Sequence, residues 1–130
     1  MLPKVKGHEG FEMKVLVCGT RGYTKGITGA LDTYYAEHLA ANGKDCPLEI
    51  IEGCCPDSAD AMAEKFAKDN DLKIHHYPAN SGTYLKRNVE MVNACDKVIA
   101  FWNGYSYGTA HAIAQGEMAG KPVKIVKVVK

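Results

Sequence analysis

The sequence contains no apolar run approaching the length of a membrane span, and its first residues lack the basic, apolar and small-residue succession of a secretion signal. No membrane partner is expected. It also lacks a charge excess: 16 Lys and Arg face 15 Asp and Glu, a formal net charge of +1 over 130 residues. No global field draws such a chain toward polyanions, so nucleic acid is not expected as a partner, although a local basic patch would be hidden in the sum. The cysteines (Cys18, Cys46, Cys54, Cys55 and Cys95) are odd in number and irregularly spaced. That pattern argues against a disulfide framework and for a reducing, cytoplasmic compartment. No internal repeat and no low-complexity stretch interrupts the chain.

Standard site motifs are missing too. The segment GTRGYTKG, 19–26, lacks the third glycine of a dinucleotide fingerprint at the usual spacing, and no phosphate-loop Lys-Ser/Thr pair occurs. Cys54 and Cys55 are adjacent and so lack metal-ligand spacing. His75 and His76 fall on an extended segment, where neighbouring side chains point to opposite faces. The sequence therefore predicts no metal site and no cofactor.

What is present is an alternation of short apolar runs and amphipathic segments. Residues 1–12 mix Pro, Gly and charge without a period and read as a loosely held extension to one domain over 13–130. Met13–Cys18 is β-branched and apolar, and Gly19–Gly26 is a glycine-rich loop. Ile27, Leu31, Tyr34, Tyr35, His38 and Leu39 then recur at helical spacing up to an Asn42-Gly43 stop. Leu48–Ile51 predicts a second strand, and Ala59 to about Asn70 a second helix capped by Asp57 or Ser58. Leu72–Tyr77 is a polar strand suited to an edge. Gly82 to about Ala94 is a third helix with Leu85, Val89 and Val92 on one stripe. Val98–Trp102, a helix over Thr109–Ala119 and a strand over Val123–Val129 complete the series.

Five strands alternating with four helices predict an α/β, Rossmann-like, doubly wound parallel sheet with helices on both faces. The most apolar strands, first and fourth, belong at the centre, which gives the order 3-2-1-4-5. Ligands of such sheets bind beyond the strand carboxyl ends where the order reverses, here between the first and fourth strands. The segments leaving those strands carry Gly19, Thr20, Arg21 and Tyr23, and Asn103, Gly104, Ser106, Gly108 and Thr109. Glycines, hydroxyls and a planar cation leading toward a helix N-terminus are suited to a phosphate. Arg87 and Asn88 on the third helix, Asp60 on the second and His111 on the fourth are further candidate pocket groups. Each also has a bland reading: Arg87 and Asn88 as a solvated pair, Ser106 and Thr109 as helix caps, Trp102 as core.

Taken in order, Gly19-Thr20-Arg21, Arg87-Asn88 with Met91, Phe101-Trp102-Asn103-Gly104, Ser106 and Gly108-Thr109 resemble the SLOG superfamily of Smf/DprA and Lonely Guy proteins. The YspA-like branch of small bacterial and phage proteins is the most similar. The resemblance implies a nucleotide-binding Rossmann-like fold, with ADP-ribose or NAD-like ligands or nucleoside monophosphates, acting as sensor or sequestering module. It also implies that homodimers occur among relatives, with Tyr34, Tyr35 and the last strand as candidate contact surfaces. Two departures bear on mechanism. A family Gly-Gly-Ala-x-Gly-Ala-Asp stretch reads Glu52-Gly53-Cys54-Cys55-Pro56-Asp57-Ser58-Ala59-Asp60 in this chain. Lonely Guy enzymes cleave the N-glycosidic bond of nucleotides with an arginine, matched by Arg87, and a glutamate, whose position is Ala112. The resemblance therefore favours binding over phosphoribohydrolase activity. A single-stranded nucleic-acid binder in the Smf/DprA manner is the third reading, disfavoured by the near-neutral charge.

Overall fold

The computed structural model describes residues 12–79 and 82–129, so the extension expected over 1–12 lies outside the described residues except for Glu12. Its elements are β1 (Met13–Gly19), α1 (Ile27–Asn42), β2 (Leu48–Glu52), α2 (Ala59–Asp69) and β3 (Ile74–His76). They continue with α3 (Tyr84–Ala94), β4 (Lys97–Trp102), α4 (Tyr107–Met118) and β5 (Val123–Lys127). All strand pairs are parallel, in the order β3-β2-β1-β4-β5 that the apolarity of the strands predicts.

The reason is burial. Val15, Leu16 and Val17 of β1 are all shut off from solvent, as are successive residues of β4, because helices cover both faces of the central pair. On one face, Val17, Ile50 and Phe101 pack against Ile27 and Leu31 of α1 and Phe66 of α2. On the other, Leu16 and Ala100 meet Met91 and Val92 of α3 and Ala112 and Ile113 of α4. The edges are short or exposed: β3 has three residues, and Ile125 on β5 remains 44% exposed. Tyr34 and Tyr35, expected as contact surfaces, lean inward on this first core, Tyr35 edge-on to Phe66. All five cysteines are free thiols, and no described helix is long and apolar enough to cross a membrane.

Two expectations about helices are corrected. The inward stripe of α3 is Asn88, Met91 and Val92 rather than Leu85, Val89 and Val92, and Leu85 is 42% exposed. The helix is turned so that Asn88 docks on α4, its Nδ2 donating to the Gly108 carbonyl at 3.1 Å. The fourth helix also begins two residues early, at Tyr107, which makes Ser106 its N-cap residue.

At the centre, β1 and β4 run in register from Val15↔Lys97 to Gly19↔Phe101. A Cβ on Gly19 would lie 2.9 Å from both the Phe101 carbonyl oxygen and the Ala59 Cβ. A backbone carbonyl in a central strand cannot give way, so Gly19→Ala is expected to cost about 1–3 kcal/mol by overpacking. Urea denaturation measures this, and an unchanged midpoint would contradict the close approach.

Candidate functional site

Beyond the carboxyl ends of β1, β2 and β4 lies a crevice of about 680 Å³. Its walls are the loop after β1, the loop after β2, one face of α3 and the first turn of α4. The two central loops are tied to each other. The Thr20 amide donates to the Phe101 carbonyl at 2.8 Å, and Thr20 Oγ1 accepts the Asn103 amide at 3.0 Å. Asn103 then folds its own loop, its Oδ1 accepting the amides of Tyr105 and Ser106 at 2.8 and 2.9 Å. Thr20 and Asn103 therefore shape the crevice from behind, and neither lines it.

The start of α4 differs from that of α2. Ser58 caps α2, its hydroxyl accepting the Asp60 amide at 3.1 Å. Ser106 occupies the equivalent place before α4 and makes no side-chain cap; its hydroxyl pairs with Thr109 Oγ1 at 3.2 Å. The leading amides of α4 and the positive end of its dipole therefore have no side-chain cap from Ser106. Ser106, Gly108 and Thr109 line it there, and Arg21 and Gly22 line it from the β1 loop.

Arg87 enters from α3. Its Nη1 donates to the Gly53 carbonyl at 2.7 Å and, more weakly, to the Tyr77 carbonyl at 3.3 Å, while its buried Nε has no partner among the described residues. Gly53 is squeezed between this guanidinium and the Asp60 carboxylate: a Cβ would sit 2.4 Å from Arg87 Nη1 and 3.1 Å from Asp60 Oδ2. Asp60 Oδ2 in turn accepts the Cys55 amide at 3.0 Å. Burial pushes the Asp60 carboxyl up to about 6, and the Glu52 carboxylate adds to this. The Cys55 and Gly53 amides and the Arg87 cation pull it partly back. The Cys18 thiol at the floor is likewise held well above its usual range by burial.

Of the residues singled out from sequence, Gly19, Arg21, Arg87, Asn88, Asp60, Ser106, Gly108 and Thr109 are brought together on the crevice wall. Thr20, Asn103, Gly104, Tyr23 and His111 are not. Tyr23 packs on the α1 core, and His111 stands behind Asn88 at 3.3 Å. The N-terminus of α1 does not reach the crevice either, because the β1 loop runs seven residues (20–26) before the helix begins. Trp102 is structural, its Nε1 donating to the Ser106 carbonyl at 3.0 Å. Ala112 lies on the wall, so a methyl stands where the resemblance would put a glutamate. Sequence reading missed the wall from Gly53 to Asp57 and the Tyr84 ring. In the sequence this stretch reads as a turn and as a departure from the family's glycine-rich motif, and it is not assigned to the pocket.

Beside the crevice a second group of side chains converges. Glu52, Cys54 and His76 place one donor atom each within 4.8 Å of one another. Glu52 is fully buried; its Oε1 accepts the Cys54 amide at 2.6 Å and its Oε2 is hydrogen-bonded to His76 Nδ1. His75 points the other way, to Glu49 at 2.7 Å, as strand alternation requires.

No known family profile matches the chain, and no curated protein does. Among solved structures, the chain resembles DNA processing protein A from Helicobacter pylori, described for its unique single-stranded DNA binding mode. The TM-score is 0.58 at 21% identity, covering 87% of this chain and 64% of the other, so this chain spans under two thirds of that protein. The likeness is one of fold. It corrects one expectation: nucleic acid was set aside on the +1 net charge, yet the same fold carries a single-stranded DNA binding mode in that protein. Net charge is therefore no ground for excluding such a partner.

The Asp60 carboxyl gives a signed pH dependence. Its folded value of about 6 lies above its ordinary 3.8, so the folded state holds the proton more tightly. The stability this contributes is complete below about pH 4 and is lost as pH rises through about 6. Denaturation of the wild type and Asp60→Asn between these values should show the variant gaining relative to the wild type as pH rises. Parallel curves would contradict the buried setting. Gly53→Ala should expel Arg87 from its seat, read as a shifted Arg87 Nε–H resonance with the fold retained; an unmoved resonance would contradict the squeeze.

Proposed function

We propose that the crevice binds a nucleotide unit by its phosphate, without turnover. The observation that carries this reading is the uncapped first turn of α4, opening into a crevice that also holds Arg21 and Arg87. Backbone amides at Gly108 and Thr109, a helix dipole and two guanidinium groups are complementary to a phosphate dianion or diester. The partly apolar walls, with Met91 and the Tyr84 ring, are suited to a sugar and base. Binding is favoured over N-glycosidic cleavage because Ala112 supplies no carboxylate, and general acid–base help needs one in place. By its motifs we place the chain with the YspA-like branch of the SLOG superfamily, as a sensor or sequestering module.

The nucleotide has two carriers to choose between. A free nucleotide derivative of the AMP or ADP-ribose kind suits the depth of the crevice. A single strand of nucleic acid is favoured by the fold shared with DNA processing protein A. Tyr105 and Tyr107, 87% and 71% exposed on either side of Ser106, would offer aromatic faces to successive bases.

Calorimetry with AMP, ADP-ribose and a thymidine oligonucleotide tests both. At least one is expected to bind in the micromolar range or tighter. Arg87→Ala should weaken it roughly tenfold to a hundredfold, the worth of about 1.5–3 kcal/mol for a hydrogen bond to a charged group. Binding of the oligonucleotide alone, falling steeply with salt, would assign the strand. No binding across the panel by a folded protein would remove the proposal.

A further inference from the structure

We propose that Glu52, Cys54 and His76 form a three-ligand mononuclear zinc site at the rim of the crevice. The inference stands on these donors alone and not on the nucleotide reading.

The donors arrive from three directions. Glu52 ends β2, His76 ends β3 directly across from it in register, and Cys54 belongs to the loop between β2 and α2. Cys54 Sγ lies 3.6 Å from Glu52 Oε2 and 3.7 Å from His76 Nδ1. Zinc bonds of about 2.3 Å to sulfur and about 2.0–2.1 Å to nitrogen and oxygen, at tetrahedral angles, give ligand-to-ligand edges of about 3.3–3.6 Å. The two sulfur edges are already close to that length. The Glu52–His76 hydrogen bond must open by a side-chain rotation to admit the ion. Glu64 on α2 stands further out, its Oε1 3.8 Å from His76 Nδ1 and its Oε2 holding Lys68 at 2.8 Å, so the fourth position of the ion is assigned to water.

Hydrogen bonds draw the three side chains together, the Cys54 thiol donating to Glu52 Oε2 and His76 Nδ1 sharing the same oxygen. Glu52 Oε2 and Cys54 Sγ converge on the same ring nitrogen, Nδ1, which has one in-plane hydrogen or lone pair to offer. A cation among them would replace these hydrogen bonds with bonds to the same three donor atoms. The same geometry excludes a cysteine–histidine–carboxylate nucleophile, which needs the thiol and the carboxylate on opposite ring nitrogens. Cys54 is moreover held at φ 66, a left-handed backbone in a residue with a side chain, and this turn directs Sγ toward the other two donors. A thiolate, an imidazole and a carboxylate form a donor set suited to Zn²⁺ over Mg²⁺ or Ca²⁺.

The test is titration of the reduced, chelator-stripped protein with Co²⁺, a spectroscopic stand-in for zinc. One equivalent should bind with a thiolate-to-cobalt charge-transfer band, and Zn²⁺ should displace it. Cys54→Ser should abolish the band, and His76→Ala should weaken Zn²⁺ by about tenfold or more. Cys55→Ser should leave both unchanged. Cys54 and His76 are exposed, so circular dichroism is expected to report an intact fold. The proposal is overturned if the wild type shows no thiolate band, or if the band survives Cys54→Ser and disappears in Cys55→Ser.

Discussion

The site depends on one constraint: β1 and β4 lie side by side at the middle of the sheet and send their connections to opposite faces. The loop after β1 leads to α1 on one side, and the loop after β4 leads to α4 on the other. A gap between the diverging loops follows from that topology. The Thr20–Asn103 hydrogen bond and the close approach of Gly19 to Phe101 keep the gap at a fixed width. The crevice wall at this end of the sheet takes its shape from this tied pair of loops.

A second layer of order comes from α3. Arg87 reaches from this helix to the Gly53 carbonyl, and Asn88 reaches to the Gly108 carbonyl, so one turn of helix braces both the β2 loop and the start of α4. These are hydrogen bonds from a charged and a neutral side chain to backbone acceptors in a partly buried setting, where removing a donor leaves its acceptor less well satisfied. Arg87 is therefore both a brace and a charge on the crevice wall. Asp60 balances it at the expense of a carboxyl shifted toward neutrality.

Much of this was legible in the chain. Continuous apolar runs in β1 and β4 and the thinner β3 and β5 specify the strand order, because a strand covered on both faces must be apolar throughout. The glycines and hydroxyls after β1 and β4 marked the end of the sheet at which the crevice lies. What remained hidden was set by register and rotation. Thr20 and Asn103 look like ligand groups and instead bond to each other across 83 positions. The α3 stripe was misjudged because Asn88 and Met91 are inward for reasons of docking, not hydrophobic period. Glu52, Cys54 and His76 form no motif in sequence; the parallel register of β2 with β3 brings them together. The +1 net charge was given too much weight, since a fold can carry nucleic acid on a local surface.

The central claim is that the crevice takes a phosphate at the start of α4. Backbone amide resonances followed while a phosphate-bearing nucleotide is added test it most directly. Gly108 and Thr109 are expected to shift furthest, with Arg21 and Gly22 across the crevice moving in step. Shifts confined to another surface, such as the β5 edge, with these four amides unmoved, would contradict it.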